Sequence, residues 1–145
     1  MTTASIATVH PSPAVRHGRL ALVALWGTQV ALAGMFLLAG YSKLSGIPEM
    51  VAMFDAIGLG QWFRYLTGTI EVVSAVALLV PSLAVFGALA LIPTMVGAIL
   101  THLVVVGGSP VVPALLLIGA MAIAWARRDR VARVISRGVA SSARR

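Results

Sequence analysis

Four apolar stretches govern what this chain can become: roughly Leu20–Tyr41, Trp62–Val80, Leu83–Val106 and Val111–Ala126. Each approaches the ~20 residues that carry a helix across a ~30 Å hydrocarbon layer, the last being the shortest. A water-soluble domain could not hide them. Of 145 residues, 59% are hydrophobic and only 10% charged, and a chain this small has too much surface for its volume to cover that much apolar material. The expected architecture is all-α: a polytopic four-transmembrane-helix bundle over residues 18–128, with a disordered cytoplasmic tail at 1–17 and a basic cytoplasmic tail at 129–145.

The net charge of +7 is placed where a membrane protein needs it. Arg16 and Arg19 precede the first stretch, and Arg127, Arg128, Arg130, Arg133, Arg137, Arg144 and Arg145 follow the last. The opposite side carries Lys43 and Arg64, offset by Glu49 and Asp55. The positive-inside rule then sets both termini in the cytoplasm of a plasma membrane. This distribution explains the charge without a nucleic-acid partner. Arg16, Arg19 and Ala31-Leu32-Ala33 resemble a signal peptide and its cleavage site, but the apolar run continues through "GMFLLAG" with no break, so the segment is expected to remain as a span. His10 and His17 fall in the N-terminal tail and are expected to be solvated. In the C-terminal tail, Arg127, Arg130, Arg133 and Arg137 can share one helical face, which suits anionic headgroups.

Between the first two spans, "PEMVAMFDAIGL" is too short to cross and is amphipathic. Met50, Met53, Phe54 and Ile57 share one helical face, with Glu49, Ala52 and Asp55 on the other. Pro48 suits the first helical position and Glu49 the positive helix end. A short external helix is expected, lying on the membrane surface or packed over the bundle. Trp62 and Tyr65 then mark the interfacial belt. Pro81-Ser82 makes a tight turn that forces antiparallel neighbours. Pro93 removes a backbone bond in the third span, so a kink is expected there, with Thr94 or a neighbouring helix helping to satisfy the freed group.

Three polar residues stand out within the apolar runs. Glu71 lies nine residues past Trp62, roughly 13 Å deeper at 1.5 Å per residue. An acid there costs about 2.5–3.5 kcal/mol on insertion scales, so it is expected to face the bundle interior with a partner. Arg64, Thr67, Gly68, Ser74 and Ala75 share its stripe, and small residues permit close helix approach. His102 lies near the outer end of the third span, and Lys43 at the outer end of the first, on a face with Phe36, Ala39 and Gly40. Helical side chains tilt toward their own N-terminus. Glu71 therefore tilts outward, while Lys43 and His102 tilt inward, and the three converge. Lys43, Arg64, Glu71 and His102 form the candidate buried polar site. It is either a register-fixing ion pair or a ligand or proton site. One His and one Glu are too few for a metal centre. With no cysteine in the chain, thiol, disulfide and covalent haem chemistry are excluded, and no covalent cofactor is expected. No phosphate-binding glycine loop or nucleophile elbow is present.

The stretch "AGYSKLSGIPEMVAMFDAIGLGQWFRYLTGTIEVVSAVALLVP", with "GALALIPTMVGAILTHL" and "GGSP" after it, resembles the DoxX-like family of small bacterial four-helix integral membrane proteins. The likeness covers roughly Leu32 to Arg128. Its shared marks are A-G-x-x-K-L, G-x-x-E and T-H, which fall here on Lys43, Glu71 and His102. The resemblance implies association with membrane redox complexes: the family's name comes from a subunit associated with a quinol oxidase and with a thiosulfate:quinone oxidoreductase. Three functions are compatible with it. The chain is an accessory or scaffold subunit of a redox- or envelope-associated complex, without catalysis of its own; or it binds a quinone or other lipophilic molecule through Glu71 and His102; or, less in keeping with four unbroken spans, it transports a small solute, for which a homo-oligomer would be required.

Overall fold

The computed structural model describes residues 13–128, with side chains from Ala21 onward, and all of its regular structure is helical. Helix α1 spans Pro13–Ser45, α2 Pro48–Ile57, α3 Gln61–Leu79, α4 Ala84–Thr101 and α5 Val111–Ala126. Within the described residues, three segments are long and apolar enough to cross a bilayer: Ala21–Ser45, Gln61–Leu79 and Ala84–Val106. The fourth expected span, α5, is equally apolar but has 16 residues, about 24 Å of helix, short of the usual ~30 Å layer. The N-terminal boundary also differs from expectation. Helix α1 is described from Pro13 onward, so residues 13–17 of the stretch expected as a disordered tail are helical. The remainder of that tail, and the basic cytoplasmic tail expected at 129–145, lie outside the described residues.

Each helix packs mainly on its neighbour: α1 on α3, α3 on α4, α4 on α5, with a smaller contact returning from α5 to α1. The core holds Phe36, Leu78, Leu91 and Ile123, all fully buried, set among small Ala75, Ala88 and Ala120. Most large apolar residues, such as Leu38, Val73, Leu103 and Ile118, point outward instead, as they must when the solvent is lipid.

Close helix approach is set by glycine. A Cβ on Gly40 would lie 2.6 Å from Val72 Cγ2 and 2.8 Å from the Gly68 carbonyl oxygen. A Cβ on Gly87 would lie 2.7 Å from the Ser74 carbonyl oxygen. Helices α1 and α3 thus cross backbone to backbone at Gly40 and Gly68, and α3 meets α4 at Ser74 and Gly87.

Helix α2 matches its expected amphipathic reading. Phe54 is buried and Met50, Met53 and Ile57 are half-buried, while Glu49, Ala52 and Asp55 are exposed. It packs over the end of the bundle, against α3 and the residues after α4, with Phe54 meeting Phe63 at a ring separation of 5.9 Å. Gly58, at φ +79°, ends it in the left-handed conformation that glycine adopts without steric cost.

The third span carries two features of its own. Helix α4 is continuous through Pro93. The carbonyl that Pro93 frees belongs to Leu89, four residues back, whereas the Thr94 hydroxyl donates to Ala90 O at 3.1 Å; Thr94 therefore does not compensate for the proline. Beyond Thr101 the chain widens into a π-helical turn, His102–Val106, which no residue pattern had signalled.

Candidate functional site

The stripe on α3 lies where the sequence placed it. Arg64, Gly68, Glu71, Ser74 and Ala75 are buried, with Leu78 continuing the line. Because Gly68 and Gly40 let the backbones touch, Lys43 reaches across the crossing to Glu71. Its Nζ donates to Oε1 at 2.9 Å and to Oε2 at 2.7 Å. The Glu71 side chain is 1% exposed and that of Lys43 16%. An ion pair this sheltered is held by mutual attraction and by charge-assisted hydrogen bonds, which must offset the cost of removing both charges from water.

Arg64 closes the same end. Its Nε donates to Gln61 Oε1 at 2.6 Å, and Nη1 donates to the Lys43 carbonyl. A cation on a carbonyl in the last turn of α1 satisfies one of the orphan acceptors of that helix end and complements its dipole. Gln61 passes the connection outward, its Nε2 donating to Asp55 Oδ1 at 2.6 Å and to Val51 O at 3.0 Å. A polar thread therefore runs from exposed Asp55 through Gln61 and Arg64 to the Lys43 carbonyl, and the side chain of that same lysine carries the charge on to Glu71. Arg64 also lies 4.2 Å from the Tyr65 ring centroid.

His102 does not join this cluster. Its Nδ1 lies 2.9 Å from Ala98 O on its own helix. A carbonyl only accepts, so Nδ1 carries the proton and donates, and Nε2 has no hydrogen bond among the described residues. The ring is half-buried at the start of the π-helical turn and packs on Gly108, where an added Cβ would come within 3.2 Å of Cδ2. The inward tilt expected for His102 is thus spent on its own backbone.

A second buried polar cluster, at the other end of the bundle, escaped sequence reasoning. Gln29 is fully buried in α1. Its Nε2 donates to the Leu78 carbonyl in the last turn of α3, and its Oε1 accepts from Arg127 Nε at 2.9 Å and also from Nη2. The Arg127 guanidinium lies 5.8 Å from the Trp26 ring centroid. One amide thereby ties α1, the end of α3 and the end of α5 together. A signal was present: Gln29 shares a helical face with Leu32, Ala33, Phe36 and Gly40, and polar residues on a buried face require partners. Replacing it is expected to cost about 1–3 kcal/mol, because the buried Leu78 carbonyl loses the amide that donates to it and the Arg127 guanidinium loses one acceptor. Unfolding of Gln29→Leu in detergent measures this; stability equal to wild type would mean that the cluster contributes nothing.

Among the described residues, no three His, Cys, Asp or Glu side chains gather to hold a metal. Every fully buried side-chain nitrogen and oxygen among them has a hydrogen-bond partner.

These features define a small helical membrane protein whose interior is pinned by one ion pair at a glycine crossing and one amide–guanidinium knot. A family model described as the DoxX-like family matches residues 27–126, and the chain belongs to that family. No curated protein and no solved structure gave a match.

Proposed function

We propose that this DoxX-like membrane protein is an accessory or scaffold subunit of a redox- or envelope-associated complex in the bacterial plasma membrane, with both termini cytoplasmic. The observation that carries this reading is the closure of the polar interior. Glu71, the costliest residue to bury, spends both oxygens on Lys43, and the buried polar side-chain atoms around it are paired. Such an interior fixes helix register and leaves the outer faces to meet other components. The orientation is supported by Arg16 and Arg19 near the start of α1 and by the arginines that follow α5. Purification of the tagged chain in mild detergent, with analysis of proteins, lipids and cofactors, tests the proposal. A stoichiometric membrane partner is expected, and it should be retained by Glu71→Gln as far as that variant folds. Recovery of this chain alone from native membranes would refute the scaffold role.

A second reading is favoured by His102. An imidazole whose Nδ1 donates to its own helix and whose Nε2 has no hydrogen bond among the described residues, at a π-helical turn of the kind often found at functional positions, suits a lipophile of the quinone class, whose reduced form offers a hydroxyl donor, with Glu71 acting only if it is released from Lys43. It requires a bound quinone in native mass spectrometry that is lost in both His102→Ala and Glu71→Gln.

A further inference from the structure

We infer that an apolar groove on the projecting part of α1 is the seat of this chain's own C-terminal segment, residues 129–145, docked through Val131, Val134 and Ile135. On the side away from α2, the bundle ends level with Gln29. There the Gln29 amide meets the Leu78 carbonyl in the last turn of α3 and the Arg127 guanidinium just past α5. Helix α1 is described from Pro13, so roughly 24 Å of it, at 1.5 Å per residue, runs past the ends of α3 and α5. A ~30 Å hydrocarbon layer reckoned from Ser45 is used up near Leu25, and Trp26 and Trp125 mark its edge. Leu22 and Val23 lie beyond that edge, yet they are apolar and 56% and 69% exposed. With Trp26, Gly27, Val30 and Ala31 they line an open groove of about 660 Å³.

The C-terminal segment sets out from beside this groove. Arg127 holds Gln29 and lies 5.8 Å from the ring centroid of Trp26, a groove residue. The chain turns at Arg127 and is helical again at Arg128, so no linker is needed to reach α1. In the residues that follow, Val131, Val134 and Ile135 recur at the spacing of one helical face, and Arg130, Arg133 and Arg137 share the opposite face. Counted back along α1 from the Trp26 contact, Val131 comes abreast of Leu22 and Val23, with Val134 and Ile135 one turn farther out. The lengths agree as well: as a helix, residues 129–145 measure roughly 25 Å, close to the projection of α1. Arg16 and Arg19 stand on the outer turns of that projection. Like-charge repulsion therefore requires the segment to turn its arginines away from α1, and the register does so. Docked in this way, the apolar face is covered by α1 while the basic face is presented to anionic headgroups.

The chain has no cysteine, so introduced pairs read the docking directly. The full chain is placed in nanodiscs of phosphatidylcholine and phosphatidylglycerol. Val23→Cys is combined in turn with Val131→Cys, Val134→Cys and Ile135→Cys, and separately with Arg130→Cys, Arg133→Cys and Arg137→Cys. Each pair is oxidised with copper phenanthroline, and a disulfide forms only where the Cα atoms come within ~7 Å. At least one apolar-face pair is expected to link within the monomer tenfold or more faster than every arginine-face pair. Gly27→Leu fills the groove at a position where an added Cβ meets nothing within 4 Å, so it spares the bundle and is expected to erase that bias. Equal rates on the two faces, or no link at all, would overturn the docking and leave the groove to lipid. Links between two chains would overturn it in favour of a second copy, and a bias that survives Gly27→Leu would place the segment elsewhere.

Discussion

Lys43→Met is expected to lose about 3–5 kcal/mol of stability, and the double variant Lys43→Met/Glu71→Leu to recover most of it. The asymmetry comes from what each change leaves behind. Removing the amine strands a carboxylate that is 1% exposed, and breaking a buried pair by taking one partner costs several kcal/mol because the survivor is uncompensated. Removing both leaves an apolar contact of similar volume, which is often neutral or better. A double-mutant cycle by unfolding in detergent reads the coupling directly. If Lys43→Met and the double variant prove equally stable, the pair does not hold the α1–α3 crossing, and the scaffold reading loses its main support.

The second large effect is expected at Gly40. Its Cβ position lies 2.8 Å from the Gly68 carbonyl oxygen and 2.6 Å from Val72 Cγ2. Backbone cannot step aside as a side chain can, so Gly40→Ala has to push α1 away from α3. Overpacking of this kind costs about 1–3 kcal/mol, occasionally more, and the separation also stretches Lys43 away from Glu71. Gly68→Ala meets Lys43 Cβ at 3.0 Å, Leu44 Cγ at 3.1 Å and the Gly40 carbonyl oxygen at 3.2 Å and is expected to be milder, since each neighbour has to give by only a few tenths of an ångström. Gly27 and Gly34 on the same helix meet nothing within 4 Å. Alanine at either is expected to be neutral or stabilising by up to about 1 kcal/mol, the ordinary gain of alanine over glycine within a helix. Measured unfolding free energies should fall in that order; a Gly40→Ala variant as stable as Gly27→Ala would contradict the close crossing.

How far the molecule was legible from its sequence varied with the physics behind each feature. The long apolar runs declared themselves because lipid imposes length and hydrophobicity together, and α2 did so because Phe54 and Asp55 fall on opposite faces of a short amphipathic pattern. The buried stripe on α3 was readable from the cost of submerging Glu71, and Lys43 from the direction in which helical side chains lean. His102 could be placed by depth and tilt but not by rotation. Its ring turns to the Ala98 carbonyl, and the π-helical turn that starts there shifts the register of everything after it, which no residue spacing announces. Gln29 and Arg127 were hidden for another reason. An uncharged amide carries no large insertion cost to attract notice, and Arg127 sits in a run of arginines that orientation alone explains. Their pairing across 98 positions is a product of tertiary packing.

The thread from Asp55 to Glu71 has a consequence for proton movement. Its middle links are an amide and a guanidinium; the guanidinium does not give up its proton in proteins, and an amide does not exchange one readily. The route is also interrupted at Lys43, whose carbonyl takes Arg64 while its ammonium, at the far end of an aliphatic side chain, holds Glu71, so conduction along it is blocked. Proton traffic to Glu71 from the α2 end would have to wait for α1 to breathe away from α3. The exchange rate of that carboxyl would then report the frequency of local opening, not the acidity of the surrounding medium.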